Sequence, residues 1–219
     1  MNTYHVEITF TQPVLGTANS DPNIHERFIA SKAPDAPSTK QEVAALGVEE
    51  VLERGTTVFP RTTDGTPFLW NYQLKGYFKD AAKFCREMDG GLTKGVPAYK
   101  SKIDGLIKVE PRNIRLVMPE GSEVKVMQRP LRAETAQGPR VALASSEMLP
   151  AGTTCECWVT LAAEKVGAKT KVDFAKCLME WLAYGTWRGI GQWRNADWGQ
   201  FTCRVTNAKT GEVVFDNMR

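Results

Sequence analysis

Residues 171–205 read KVDFAKCLMEWLAYGTWRGIGQWRNADWGQFTCRV and change character twice. The first part has Phe174, Leu178, Trp181 and Leu182 at helical spacing behind Asp173, a residue type that caps helix N-termini. The last part, from Gln200, alternates as a strand does. Between them, residues 187–201 hold Trp187, Trp193 and Trp198, Arg188 and Arg194, and Gly189, Gly191 and Gly199. Helix, glycine loop, strand is the reverse of the dinucleotide fingerprint, in which a strand leads and the helix N-terminus holds the phosphates. The stretch is therefore the closing half of an α+β unit.

Working outward, residues 3–11, TYHVEITFT, put Tyr4, Val6, Ile8 and Phe10 on one side and predict a half-buried first strand. Residues 16–57 are a long insertion rich in Pro, Ala, Ser and Asp. Within it NIHERFIAS suggests a short helix. STKQEVAALGVEEVLERG, with Thr39 and Glu42 as a capping box, suggests a longer one. TTVFPRTTDGTPF is extended with a turn at Asp64-Gly65. NYQLKGYFKDAAKFCREMDGG reads as a helix with Leu74, Phe78, Ala81, Ala82 and Cys85 on its apolar face and Gly90-Gly91 as its stop. GLIKVEPRNIRLVMPEG, EVKVMQRPLRAET and TTCECWVTLAA read as strands, with a hairpin or arm over about 120–142. QFTCRVTNAKTGEVVF reads as one last strand. The order fits a single α+β domain over 1–219, a modified ferredoxin-like core with long insertions.

Composition bounds the function. A 42% apolar content with nine Phe and six Trp suffices for a packed core. No apolar run is long enough for a membrane helix, and MNTYHVEITF lacks the basic and apolar regions of a secretion signal, so a cytoplasmic protein is expected. Five cysteines form no CxxC pair and read as reduced, buried residues. With only His5 and His25 beside them, neither a zinc site nor another cofactor is expected. The net charge of +3 is modest, and its basic excess lies in the C-terminal half with the glycine loop.

That loop suits single-stranded nucleic acid. Gly189 and Gly191 let backbone N–H groups face an anion. Arg188 and Arg194 suit phosphates, and Trp187, Trp193 and Trp198 suit stacking on unpaired bases. The same residues also suit a rim of the core, with the Trp rings as a cap and the arginines paired to carboxylates. Arg129, Arg132 and Arg140 make QRPLRAETAQGPR, residues 128–140, a basic, turn-rich segment that either touches the strand or is a solvated hairpin.

Three segments together resemble the RAMP superfamily, especially the backbone subunits of type III CRISPR effector complexes. They are DGTPFLWNYQLKGYFKDAAKFCRE (64–87), with the triplet Leu74-Lys75-Gly76 opening a helix; RVALASSEMLPAGTTCECWVTL (140–161), with its Pro150-Ala151-Gly152 turn; and the glycine loop. The resemblance implies a protein that binds single-stranded RNA and stacks side by side along it, with Lys75 beside a helix N-terminus that favours phosphate. Single-stranded DNA is the other candidate ligand. The resemblance does not carry cleavage onto Asp21 or Asp35, which lack the family's context, and His25 has no second group for acid–base work. A RAMP-type RNA endonuclease therefore stays an alternative. A second alternative is a phage or mobile-element protein that caps or inhibits a nucleoprotein complex.

Overall fold

The computed structural model describes residues 1–19, 55–135, 138–167 and 171–218, and of these the side chains outside 131–142. The helices read within 20–54 lie outside the described residues. In chain order the strands are β1 (Asn2–Phe10), β2 (Val14–Leu15), β3 (Ala18–Asn19), β4 (Thr56–Val58) and β5 (Phe68–Trp70). Helices α1 (Asn71–Cys85) and α2 (Tyr99–Leu106) follow, then β6 (Ile107–Glu110) and β7 (Asn113–Arg115). Next come β8 (Lys125–Thr135), β9 (Gly138–Leu149), β10 (Thr154–Leu161), β11 (Lys165–Val166) and β12 (Val172–Asp173). The chain closes with α3 (Phe174–Ala183), β13 (Phe201–Asn207) and β14 (Val213–Asp216). These elements fall into two compact units, one of Met1–Val14, Pro60–Glu123 and Leu149–Arg219, the other of Leu15–Phe59 and Val124–Met148.

The first unit is built on a sheet of order β14-β13-β1-β10-β6. Strand β1 pairs antiparallel with β10 and β13, and β10 with β6. With α1 and α3 as the two crossover helices, β13-β1-β10-β6 is the ferredoxin-like order. The strands alternate as the sequence predicts. Tyr4, Val6, Ile8 and Phe10 of β1, Cys155, Cys157 and Val159 of β10, and Phe201, Cys203 and Val205 of β13 are all buried. Helices α1 and α3 bury Leu74, Tyr77, Phe78, Phe174, Leu178 and Trp181. Tyr77 meets Phe201 edge-on at 5.2 Å, and Trp181 meets Phe174 at 5.8 Å, geometries that aromatic rings favour.

Local chemistry sets the helix boundaries. Asp173 accepts hydrogen bonds from the amides of Ala175 (2.9 Å) and Lys176 (3.2 Å), the N-cap the sequence indicates. At the head of α1 the Gln73 side chain turns back to accept from Trp70 N–H at 2.7 Å. Helix α1 stops at Cys85, earlier than Gly90-Gly91 suggest, and a 3₁₀ turn, Leu92–Gly95, is then tied to α3. Glu180 accepts from the amides of Leu92 (2.7 Å) and Thr93 (3.1 Å), and the Trp181 indole donates to Thr93 Oγ1 at 2.7 Å. Thr93 and Trp181 have no exposed surface, so this network satisfies polar groups that would otherwise be costly to bury.

Two readings change. The single last strand is a hairpin, β13 and β14, because Asn207 accepts from the amides of Lys209 and Thr210 and turns the chain. The strand read over 105–121 is two short strands either side of Pro111, and β7 leaves the main sheet to pair with β5.

The second unit is a sheet of order β2-β9-β4-β3 with β8 also on β9. Strands β8 and β9 pair continuously from Lys125↔Met148 to Thr135↔Gly138. The basic segment 128–140 is thus ladder rather than turn for most of its length. Pro130 fits because β8 pairs only with β9 among the described residues, and an edge strand spares one donor.

Candidate nucleic-acid interface

After α3 and a 3₁₀ turn at Tyr184–Thr186, the glycine loop closes on itself. A Cβ on Gly189 would lie 2.0 Å from the Gly199 carbonyl carbon, and one on Gly199 would lie 1.9 Å from the Ile190 oxygen. Only glycine permits that approach of two backbones. Ile190 N–H donates to the Gly199 carbonyl (3.0 Å), and Gly199 N–H to that of Pro13 (2.9 Å). Gly189 therefore faces backbone rather than an open anion site, a correction to the sequence reading. Gly191 sits at φ 100° and turns the chain outward. Trp193 takes φ 55°, which a bulky side chain seldom adopts. Its ring meets that of Trp198 edge-on at 6.3 Å. Trp187 is 75% exposed.

The two arginines converge on Asp80, which α1 supplies. Arg188 Nε donates to Asp80 Oδ2 at 2.6 Å and an Arg194 Nη to the same oxygen at 2.8 Å. Arg188 also donates to Asn195 Oδ1 at 2.7 Å and lies 5.1 Å above the Phe84 ring, which stacks on Tyr184. Lys83 Nζ is 5.2 Å from that same ring. The pairing of arginine with carboxylate is thus realised, yet one carboxylate serves two guanidiniums. The cluster of Lys83, Arg188 and Arg194 keeps a positive excess with N–H donors to spare, and the exposed Trp187 directly precedes Arg188 in the chain.

Lys75 stands elsewhere. It lies one turn into α1, its ammonium donates to the Asp104 carbonyl at 3.3 Å, and it is about 140° around the helix from Asp80. Arg129 is a half-buried residue of β8 in the second unit. Arg132 opposes Val141 in the ladder, and its side chain, like that of Arg140, lies outside the described residues. The structure therefore joins Arg188, Gly189, Gly191, Trp193, Arg194 and Trp198 in one loop and sets Lys75 on another side of α1, while Arg129 and Arg132 belong to the second unit.

Asp80, Lys83 and Phe84 escape sequence reasoning because they sit on the polar side of a helix about a hundred residues upstream of the loop. A second exposed aromatic group has a visible signal in LWNY, residues 69–72. There Trp70 stacks on Tyr72 at 6.1 Å, and Arg112 lies 5.3 Å from the Trp70 ring.

The remaining reactive residues are quiet. Burial pushes the thiols of Cys85, Cys155, Cys177 and Cys203 up to about 12, and all five cysteines are buried and unpaired. His5 Nε2 lies 3.0 Å from Glu156 Oε2. Asp21, His25 and Asp35 lie outside the described residues. Among the described residues no three potential metal ligands gather, and no helix is long and apolar enough to cross a membrane.

Strand order, crossover helices and antiparallel pairing define an α+β protein with a ferredoxin-like fold. Among solved structures, the chain is similar to one in the "Cryo-EM structure of the Type III-B Cmr-beta bound to cognate target RNA", with a TM-score of 0.50 at 11% identity. The match covers 94% of this chain and 61% of that one, so the present sequence spans about three fifths of that neighbour's length. At this identity the likeness is one of fold. No protein-family model and no curated protein matches the sequence.

Proposed function

We propose that the chain binds single-stranded RNA through the glycine loop and the adjoining side of α1, does not cut it, and works as an RNA-binding subunit of RAMP type whose copies line up along the strand. The carrying observation is the convergence of Arg188 and Arg194 on Asp80. It holds two guanidiniums on one carboxylate oxygen, and the exposed Trp187 directly precedes Arg188 in the chain. Phosphates would meet the guanidinium edges and an unpaired base would stack on the indole. Similarity of fold to a chain from an RNA-bound complex supports the choice of RNA over single-stranded DNA. The absence of cleavage rests on the sequence, in which Asp21 and Asp35 lack the family's context and His25 has no second group for acid–base work.

Fluorescence anisotropy with labelled single-stranded RNA, single-stranded DNA and duplex tests this. Arg188→Ala with Arg194→Ala should weaken RNA binding and reduce the salt slope by about 1.4, two single-strand phosphate contacts. Trp187→Ala should lower affinity by about 1–3 kcal/mol, the worth of one stacked base. Unchanged affinity in the double variant would remove the loop as the site. Degraded RNA after incubation with the pure protein would replace the binding role with the endonuclease.

A further inference from the structure

The face of the main sheet turned away from α1 and α3 carries a cavity of about 440 Å³, lined by Glu7, Asn113, Arg115, Val117, Glu156 and Trp158 among others. All of these belong to the first unit. The Trp158 indole is 41% exposed, large for an apolar ring in the middle of a sheet, and the His5 ring lies against it at 4.9 Å. Glu7 and Glu156 stand directly opposite each other on β1 and β10. Like charges in that register destabilise a sheet unless a cation lies with them. Two arginines already lie nearby: Arg204 stands opposite Glu7 on β13 and donates through Nε to Asp216 Oδ2 at 2.8 Å, and Arg115, which lines the cavity, is paired with Asp64, so neither is given over to Glu156. His5 meets only one oxygen of Glu156.

We propose that this cavity receives the guanidinium of an arginine from a partner protein. A guanidinium is a planar cation with several donors. It stacks flat on an indole while its edge bonds carboxylates, and this cavity presents both. A lysine ammonium lacks the planar face and the fork. Nucleic acid is disfavoured by the same charge complementarity, because the opposed carboxylates repel phosphate. The volume is within the ordinary range for a small-ligand site. The cavity lies on the sheet rather than on the glycine loop, so the inference does not depend on RNA binding there.

The test follows the indole N–H resonance of Trp158, assigned by its loss in Trp158→Phe, in the full-length protein. N-acetyl-arginine amide, N-acetyl-lysine amide and adenosine monophosphate are titrated in turn. The arginine probe should shift that resonance saturably, the lysine probe several-fold more weakly, and the nucleotide not at all. Glu7→Gln and Glu156→Gln should each weaken the arginine probe by about five-fold, the upper end for an exposed ion pair. Equal responses to arginine and lysine would overturn the proposal, leaving only diffuse charge attraction. A nucleotide response with none to arginine would overturn it in favour of a base pocket. A shift that tracks protein concentration without any probe would overturn the partner assignment in favour of a second copy.

Discussion

One strand, β1, serves two different surfaces. Val6, Ile8 and Phe10 point under the helices and are almost wholly buried, while Thr3, His5, Glu7 and Thr9 alternate with them on the open side. The neighbour β10 does the same with Cys157 against Glu156 and Trp158. On the covered side the chain spends its side chains on close packing. On the open side it places charges and an aromatic ring where packing has no use for them. The difference teaches that in this fold position parity along a strand separates stability from recognition, so the two are open to separate experiments.

The largest effect distinguishing the sides should be chemical. Burial raises the thiol of Cys155 to about 12, which keeps it protonated in the folded state, and unfolding returns it toward the ordinary thiol range. A thiol reagent at about pH 8 should therefore label the folded protein about a thousandfold more slowly than the denatured one. Rapid labelling of the native protein would show that the covered side is open to solvent. Next comes Trp181→Ala, which removes a fully buried ring and its bond to Thr93 and should cost about 3–5 kcal/mol in denaturant unfolding. Ile8→Ala should cost about 2–5 kcal/mol. Glu7→Gln, one residue away, should stay within about 0.5 kcal/mol, since it relieves the repulsion from Glu156 on one side and removes the attraction of Arg204 on the other. If the Ile8 and Glu7 variants cost the same, the contrast between the two sides fails.

The smallest effect lies in acid. The Asp64 carboxyl is held well below the usual carboxylate range, first by the Thr62 hydroxyl and then by Arg115. A lowered pKa in the folded state contributes stability above the unfolded value and loses it as pH falls through the folded one. Because Asp64 is exposed, the expected change is confined to its own resonance. An NMR titration should show it ionised well after ordinary aspartates have protonated. Titration alongside them would mean that the pair with Arg115 does not persist in solution.

Much of the covered side is legible in the sequence. The alternation of TYHVEITF, the apolar face of α1 and the Asp173 cap depend on residues close together in the chain, and local periodicity carries them. The order of strands is not local. It follows from an element pattern matched to a known plan, and β14 escapes because its turn was read as continuous strand. The loop shows the same limit. Its residues stand out by composition, but the meeting of Gly189 with Gly199 and the reach of Asp80 to two arginines are contacts that no spacing rule contains. Lys75 shows the same limit: the motif puts it beside a helix N-terminus, and only helical rotation shows that it turns toward Asp104 and away from Asp80.

The closure of the loop has an evolutionary consequence. Its ends are fastened by main chain to main chain, Ile190 to Gly199 and Gly199 to Pro13, and the Gln200 side chain, outside the segment, adds a bond to the Trp187 carbonyl. Substitutions between the two ends leave that clasp in place, and the entropy of closing a loop grows only slowly with its length. The segment 191–198 is thus a cassette. Its aromatic and basic residues are free to drift, lengthen or be exchanged for others while the sheet and helices beneath keep their register. A lineage carrying this scaffold has a route to new specificities through one short segment, with Gly189 and Gly199 held by the close approach of backbones and Gly191 by its positive φ.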